Sequence, residues 1–202
     1  APYAWAGLLH ELAHRMWSEI PDLADEIHVE TGLTVVPFLL RSEERWDLRP
    51  CYAAWLEEIF CDSLTAVQLG PAALRGLVDR FTHVRASAGH PWIIAASNGS
   101  YSAHLPEALR VLLVAHLLSA QGYGTEVEFI VESWMRQSGP ALGFLMPLAD
   151  DELLPLPVEV VVAPGQRLVE QMVTEERAAL SGFSLGAIPG LRLSTEEWAS
   201  AE

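Results

Sequence analysis

Two histidines stand four residues apart in the tract His10-Glu11-Leu12-Ala13-His14, with a glutamate directly after the first. On a helix, positions i and i+4 lie one turn apart on the same face, so both imidazoles can reach one cation. The glutamate between them projects beside that cation, where it can take a proton from a water that the metal has acidified. The pattern is HExxH, and the chemistry it supports is metal-assisted hydrolysis, with zinc as the expected ion. A motif this short leans on its flanks. Trp5, Leu8, Leu9, Met16 and Trp17 are apolar, which places the histidines on or near a buried face of one helix. The competing reading is two histidines at helical spacing with no metal.

A zinc site of this kind needs a third protein ligand. Residues 51–69 read as a second helix, apolar almost all round and therefore buried, yet carrying Glu57, Glu58 and Asp62. Burying an unpaired carboxylate is costly, and a metal with its histidines removes that cost. Glu58 and Asp62 share a face at i and i+4. That spacing casts Glu58 as the metal ligand and Asp62 as acceptor for the far nitrogen of a ligating histidine. Glu57 is the near rival to Glu58 but has no aspartate four residues on. A second ExxxD, Glu43 and Asp47, lies among arginines and reads as a solvated ion-pair patch; an acidic stripe at a solvated edge remains the alternative for the helix itself.

HELAH followed by a helical ExxxD resembles the gluzincin class of zinc metallopeptidases, and within it the CAAX prenyl protease type. That group carries a downstream histidine with an arginine six residues later at a helix start. Here His104 and Arg110 match the spacing, while the proline falls two places after the histidine rather than directly after it. The resemblance implies that His104 and Arg110 stabilise the oxyanion and order the site, alongside Glu11 as general base and His10, His14 and Glu58 as ligands to Zn2+. It covers about residues 3 to 119 and departs from the pattern twice. Gluzincins place an edge strand before the HExxH helix to pair with substrate backbone. Nine residues precede His10, which leaves no room for it, so either a segment outside the chain or residues 33–40 would have to serve. Members of the prenyl protease group are also often membrane-embedded, whereas no stretch here is long and apolar enough to span a bilayer, so the membrane substrate class is not carried over.

The expected activity is therefore hydrolysis of a peptide bond in a protein or peptide substrate. The alternative is an inactive metallopeptidase-like binding or regulatory module. A deformylase-like enzyme with a cysteine ligand is disfavoured, because there the cysteine precedes the motif helix and Cys51 and Cys61 both follow it. Tyr101 and His90 are weaker candidates for the oxyanion role. Trp5, Trp17, Trp55 and Trp92 read as core.

The elements that must position these residues read as mainly α (α+β): a helical zincin-like core over residues 1–120, with a small α/β segment over 121–202 packing on it. Helices are expected over about residues 3–20, 51–69, 72–86 and 106–119, with Pro21 and Gly70-Pro71 as breaks. Residues 21–50 read as irregular apart from a possible strand at 33–40. Residues 87–102 read as a loop, 126–135 as either helix or strand, 148–157 as a connector, 158–162 as a short strand and 167–180 as a helix. The last twenty residues read as turns with one short strand.

Bulk composition narrows the partners. The net charge of −15 over 202 residues repels phosphate backbones and argues against nucleic-acid binding. All 12 basic residues are arginine, which fits an arginine-biased genome. Two isolated cysteines suggest no disulfide framework and fit a reducing compartment, so the expected location is cytoplasmic. An activating or sister domain is a possible partner.

Overall fold

The computed structural model describes residues 2–35, 38–40, 44–84, 91–94, 96–97, 100–138, 143–147 and 152–188. Its centre is a helix that is buried over most of its length. This is α3, Arg49–Leu69, with Pro50 in its first turn and Gly70 at its end, where a φ of 55° suits a residue without a side chain. Around it pack α1 (Pro2–Glu19), α2 (Leu23–Thr34), α4 (Pro71–Val84), α5 (Glu107–Leu118) and α7 (Val158–Thr174). A helix enclosed this way is hydrophobic over most of its surface, and Tyr52, Trp55, Leu56, Ile59 and Phe60 are fully or almost fully buried on it. The fold is mainly α. One hydrophobic cluster runs from Ala13 to Leu185 and draws on both sides of residue 120.

The strands form antiparallel pairs: β1 (Phe38–Leu40) with β2 (Glu44–Trp46), β3 (Ala96–Ser97) with β4 (Ser100–Tyr101), and β5 (Phe144–Pro147) with β6 (Leu153–Leu156). Among the described residues no strand of these pairs joins a larger sheet. Of the expected strand at 33–40, Phe38–Leu40 form β1, paired with β2, while residues 33–34 belong to α2 and 36–37 lie outside the described residues.

Several expectations are corrected by packing. Residues 21–50 are not irregular throughout, because α2 occupies Leu23–Thr34. Leu23, Ile27 and Thr31 recur at helical spacing and are buried, which outweighs the β-branched content of the segment. Residues 126–135 are helical, within α6 (Gly124–Ser138), which buries Val127, Ile130 and Trp134 on one face. The stretch expected as a connector carries β6 instead. The strand expected at 158–162 is the start of α7, which continues through Pro164 and ends at Thr174, short of residue 180. Val161, Val162, Leu168, Val169 and Met172 are buried at a helical period, so the run of valines reflects a buried helix face. Within 87–102 the pair β3–β4 replaces part of the expected loop, while residues 85–90 and 189–202 lie outside the described residues.

Pro164 has no N–H to offer the carbonyl of Val160, and Tyr52 enters α7 just there. Its hydroxyl donates to the Val161 carbonyl and accepts from the Gly165 backbone. Gly165 permits this approach, since a Cβ there would lie 2.7 Å from a Leu113 methyl and 2.8 Å from the Tyr52 oxygen. Both cysteines are free and buried, and burial pushes the Cys51 thiol up to about 12 and raises that of Cys61 as well. Trp55 and Trp92 are core, but Trp5 is 61% exposed. On α1 the buried side is Ala6, His10 and Ala13, with Trp5, Leu8 and Leu12 facing outward. Among the described residues, no helix is long and apolar enough to cross a membrane.

Candidate metal centre

α1 and α3 pack side by side, and that contact joins the histidines to the carboxylates. Glu58 stands between the two imidazoles. Its Oε2 lies 3.3 Å from His10 Nε2, and its Oε1 lies 3.7 Å from His14 Nε2. Ligands held about 2.0 Å from a tetrahedral ion are separated by roughly 3.3 Å, so both distances are of the size that one shared cation requires. One ligand atom from each of His10, His14 and Glu58 lies within 4.8 Å of the other two.

The far side of each ring is also occupied by a carboxylate. His10 Nδ1 is 3.1 Å from Asp62 Oδ1, and His14 Nδ1 is 2.8 Å from Glu57 Oε1. An ionised carboxylate only accepts, so each Nδ1 carries a proton and each Nε2 is directed at Glu58. Asp62 was expected at this position from its spacing. Glu57, the rival ligand by sequence, stands instead beside His14, a place that its spacing does not reveal. The available signal was that two ligating histidines need two acceptors, while one ExxxD supplies one.

Arg110, in the first turn of α5, completes the cluster. It is 5% exposed and donates from Nε to Asp62 Oδ2 and from Nη2 to Asp62 Oδ1, both at 2.7 Å. Its Nη1 lies 3.1 Å from Glu58 Oε2, its Nη2 lies 3.5 Å from His10 Nε2, and its guanidinium carbon is 5.6 Å from the centre of the Phe81 ring. With its nitrogens directed at carboxylates, Arg110 is placed to order the site rather than to meet a substrate oxygen. His104 differs. Its side chain is 77% exposed, and Nδ1 donates to Glu58 Oε1 at 3.0 Å. The segment bearing it is pinned by Trp55, whose indole N–H donates to the Ser102 carbonyl at 3.0 Å, and by buried Leu105 and Pro106.

The electrostatics leave negative charge to be balanced. Glu58 and Asp62 face Arg110 and Glu57 faces His14, so three carboxylates stand around one guanidinium. For Glu58, burial raises the pKa, but His10 and Arg110 outweigh it and hold the carboxyl down at about 2. For Asp62, burial again raises it, and Arg110 with His10 brings it to about 2. Burial lowers the pKa of His10, while Asp62 and Glu58 raise it further, to about 9. Without a metal, a proton on His10 takes up part of the excess charge. Glu58 Oε2 is buried and has no aligned hydrogen bond among the described residues, despite its charged neighbours. Such an oxygen is costly to leave unsatisfied, and a cation would satisfy it.

The remaining candidates are not among the clustered ligand atoms or fall outside the described residues. Glu11 is exposed on α1, next to His10. Tyr101 is held above its ordinary pKa by burial and by the neighbouring Cys51 thiol. Asp47 pairs with Arg49, from Arg49 Nε to Asp47 Oδ1 at 2.9 Å, while Glu43 and His90 are outside the described residues. No family model, curated protein or solved structure matches the chain, so the cluster's own geometry carries the functional argument.

Proposed function

We propose that the chain is a zinc-dependent hydrolase of peptide bonds, of gluzincin type, with a zincin-like helical core. The observation that carries this reading is the opposed placement of the two histidines. Each gives Nδ1 to its own carboxylate and turns Nε2 to the shared Glu58. Isolated core or surface histidines have no need of that arrangement. His10, His14 and Glu58 would hold the ion, and Asp62 and Glu57 would keep both rings in the ligating tautomer. When bound, zinc would supply Lewis acidity, easing deprotonation of a water and polarising a carbonyl. Glu11, exposed beside His10, takes the water proton and delivers it to the leaving amine. His104, with Nδ1 held by Glu58 Oε1, would donate to the developing oxyanion from Nε2 as the imidazolium. Arg110 keeps Glu58 and Asp62 in place.

The test is metal content of the purified chain by mass spectrometry beside Glu58→Ala, followed by digestion of a casein or peptide library with and without chelator. The reading expects about one zinc per chain, lost in the variant, and cleavage that the chelator stops. A second reading, a binding or regulatory module without hydrolysis, is favoured by one contact. Arg110 Nη1 lies 3.1 Å from Glu58 Oε2 and can neutralise that carboxylate in place of a metal. Failure of the wild type to take up zinc on reconstitution would put this second reading first.

A further inference from the structure

A cleft opens beside the cluster, between α1, α4 and α5, with His10 in its wall. Gly7 and Gly76 line it, Leu77 and Val114 give it apolar surface, and Arg80 stands on it. At Gly7 a Cβ would meet no atom within 4 Å, so the cleft is open on the α1 side. Asp62 and Arg110 also border it, but each is committed to the other through their paired hydrogen bonds. Arg80 is exposed and has no carboxylate partner among the described residues. In a chain with 27 acidic residues against 12 arginines, a cation left unpaired beside the cluster is the group there that remains free for an anion.

We propose that this cleft is a subsite for a carboxylate of a peptide ligand, with Arg80 as its cationic anchor. Guanidinium and carboxylate match in planar geometry, and a charge-assisted pair at a partly enclosed cleft is stronger than a neutral contact. The narrow apolar walls admit a small group next to it. The carboxylate has two sources, the C-terminus of a peptide or an acidic side chain. The subsite's place in catalysis rests on the hydrolase reading, but its binding does not. The net charge of −15 disfavours anions at long range, so recognition has to come from a local contact of this kind.

The experiment is calorimetric titration of the full chain, as purified and after zinc addition, with three short acetylated peptides. One is trialanine with a free C-terminal carboxylate, one is trialanine amide, and one is an alanine tripeptide amide with a central aspartate. Each is repeated on Arg80→Ala and Arg80→Lys, with metal content and thermal unfolding measured on every sample. The proposal expects one of the carboxylate peptides to bind about tenfold or more tighter than trialanine amide. It expects that preference to vanish in Arg80→Ala and to return in part in Arg80→Lys, with melting temperature unchanged. Whichever carboxylate peptide is preferred identifies the source. Equal affinities, no binding of any peptide, or a preference that survives Arg80→Ala overturns the proposal. An Arg80-dependent preference in a chain that takes up no zinc keeps the subsite and removes the hydrolase reading. Zinc uptake without any preference does the reverse.

Discussion

Arg110 holds Asp62 through two parallel hydrogen bonds of 2.7 Å, joining the first turn of α5 to the middle of α3 in a buried position. The same guanidinium reaches Glu58, so one arginine organises both carboxylates that face His10. Replacing it with alanine would leave two buried carboxylates facing each other without their cation. Loss of one partner from a buried pair costs about 3 to 5 kcal/mol. Urea denaturation of Arg110→Ala should show a loss of that order, with Arg110→Lys recovering only part because an ammonium cannot hold both Asp62 oxygens. A loss below about 1 kcal/mol, the size expected of an exposed pair, would mean that the guanidinium does not organise the cluster.

Glu57 meets the outer nitrogen of His14, at 2.8 Å, and is not among the clustered ligand atoms, so it orients a ligand without being one. Glu57→Ala is expected to weaken zinc affinity about 10- to 100-fold while leaving a site that still loads at high metal. Competition with a chromophoric chelator reads this directly. A variant that cannot be loaded at all would make Glu57 a ligand, and an unchanged affinity would deny it any part in the site.

Glu11 is exposed beside His10 and outside the cluster of ligand atoms. Glu11→Gln should therefore bind zinc as the wild type does and lose about 100- to 10,000-fold in kcat, the range for a general base. Single-turnover cleavage with metal content measured in parallel separates the two effects. Turnover retained in the loaded variant would place the base elsewhere.

Far from the site, Gly165 tests the packing of α7. A methyl group there would meet Leu113 at 2.7 Å and the Tyr52 oxygen at 2.8 Å. Overpacking of this kind costs about 1 to 3 kcal/mol, so Gly165→Ala should lower the urea midpoint without altering metal content. A neutral result would show that Tyr52 and Leu113 can move aside at little cost.

The sequence by itself determined the elements whose information is local. The spacing of His10 and His14 places them on one face of one helix, and Gly70-Pro71 ends α3, because both effects depend on a few neighbouring residues. The apolar surroundings of Glu58 and Asp62 likewise announced a buried helix with charges to be satisfied. Where burial came from distant partners, local reading failed. The valines of residues 158–162 suggest a strand, and only their packing as a face of α7 makes them helical. Trp5 looked like core because it is aromatic, yet the side of α1 that meets α3 and α4 turned it outward. The division of labour among Glu57, Glu58 and Asp62 was decided by tertiary structure as well. Successive residues on a helix point about 100° apart, so the rotation of α3 against α1 selects which carboxylate meets which nitrogen, and no spacing within one helix encodes that angle.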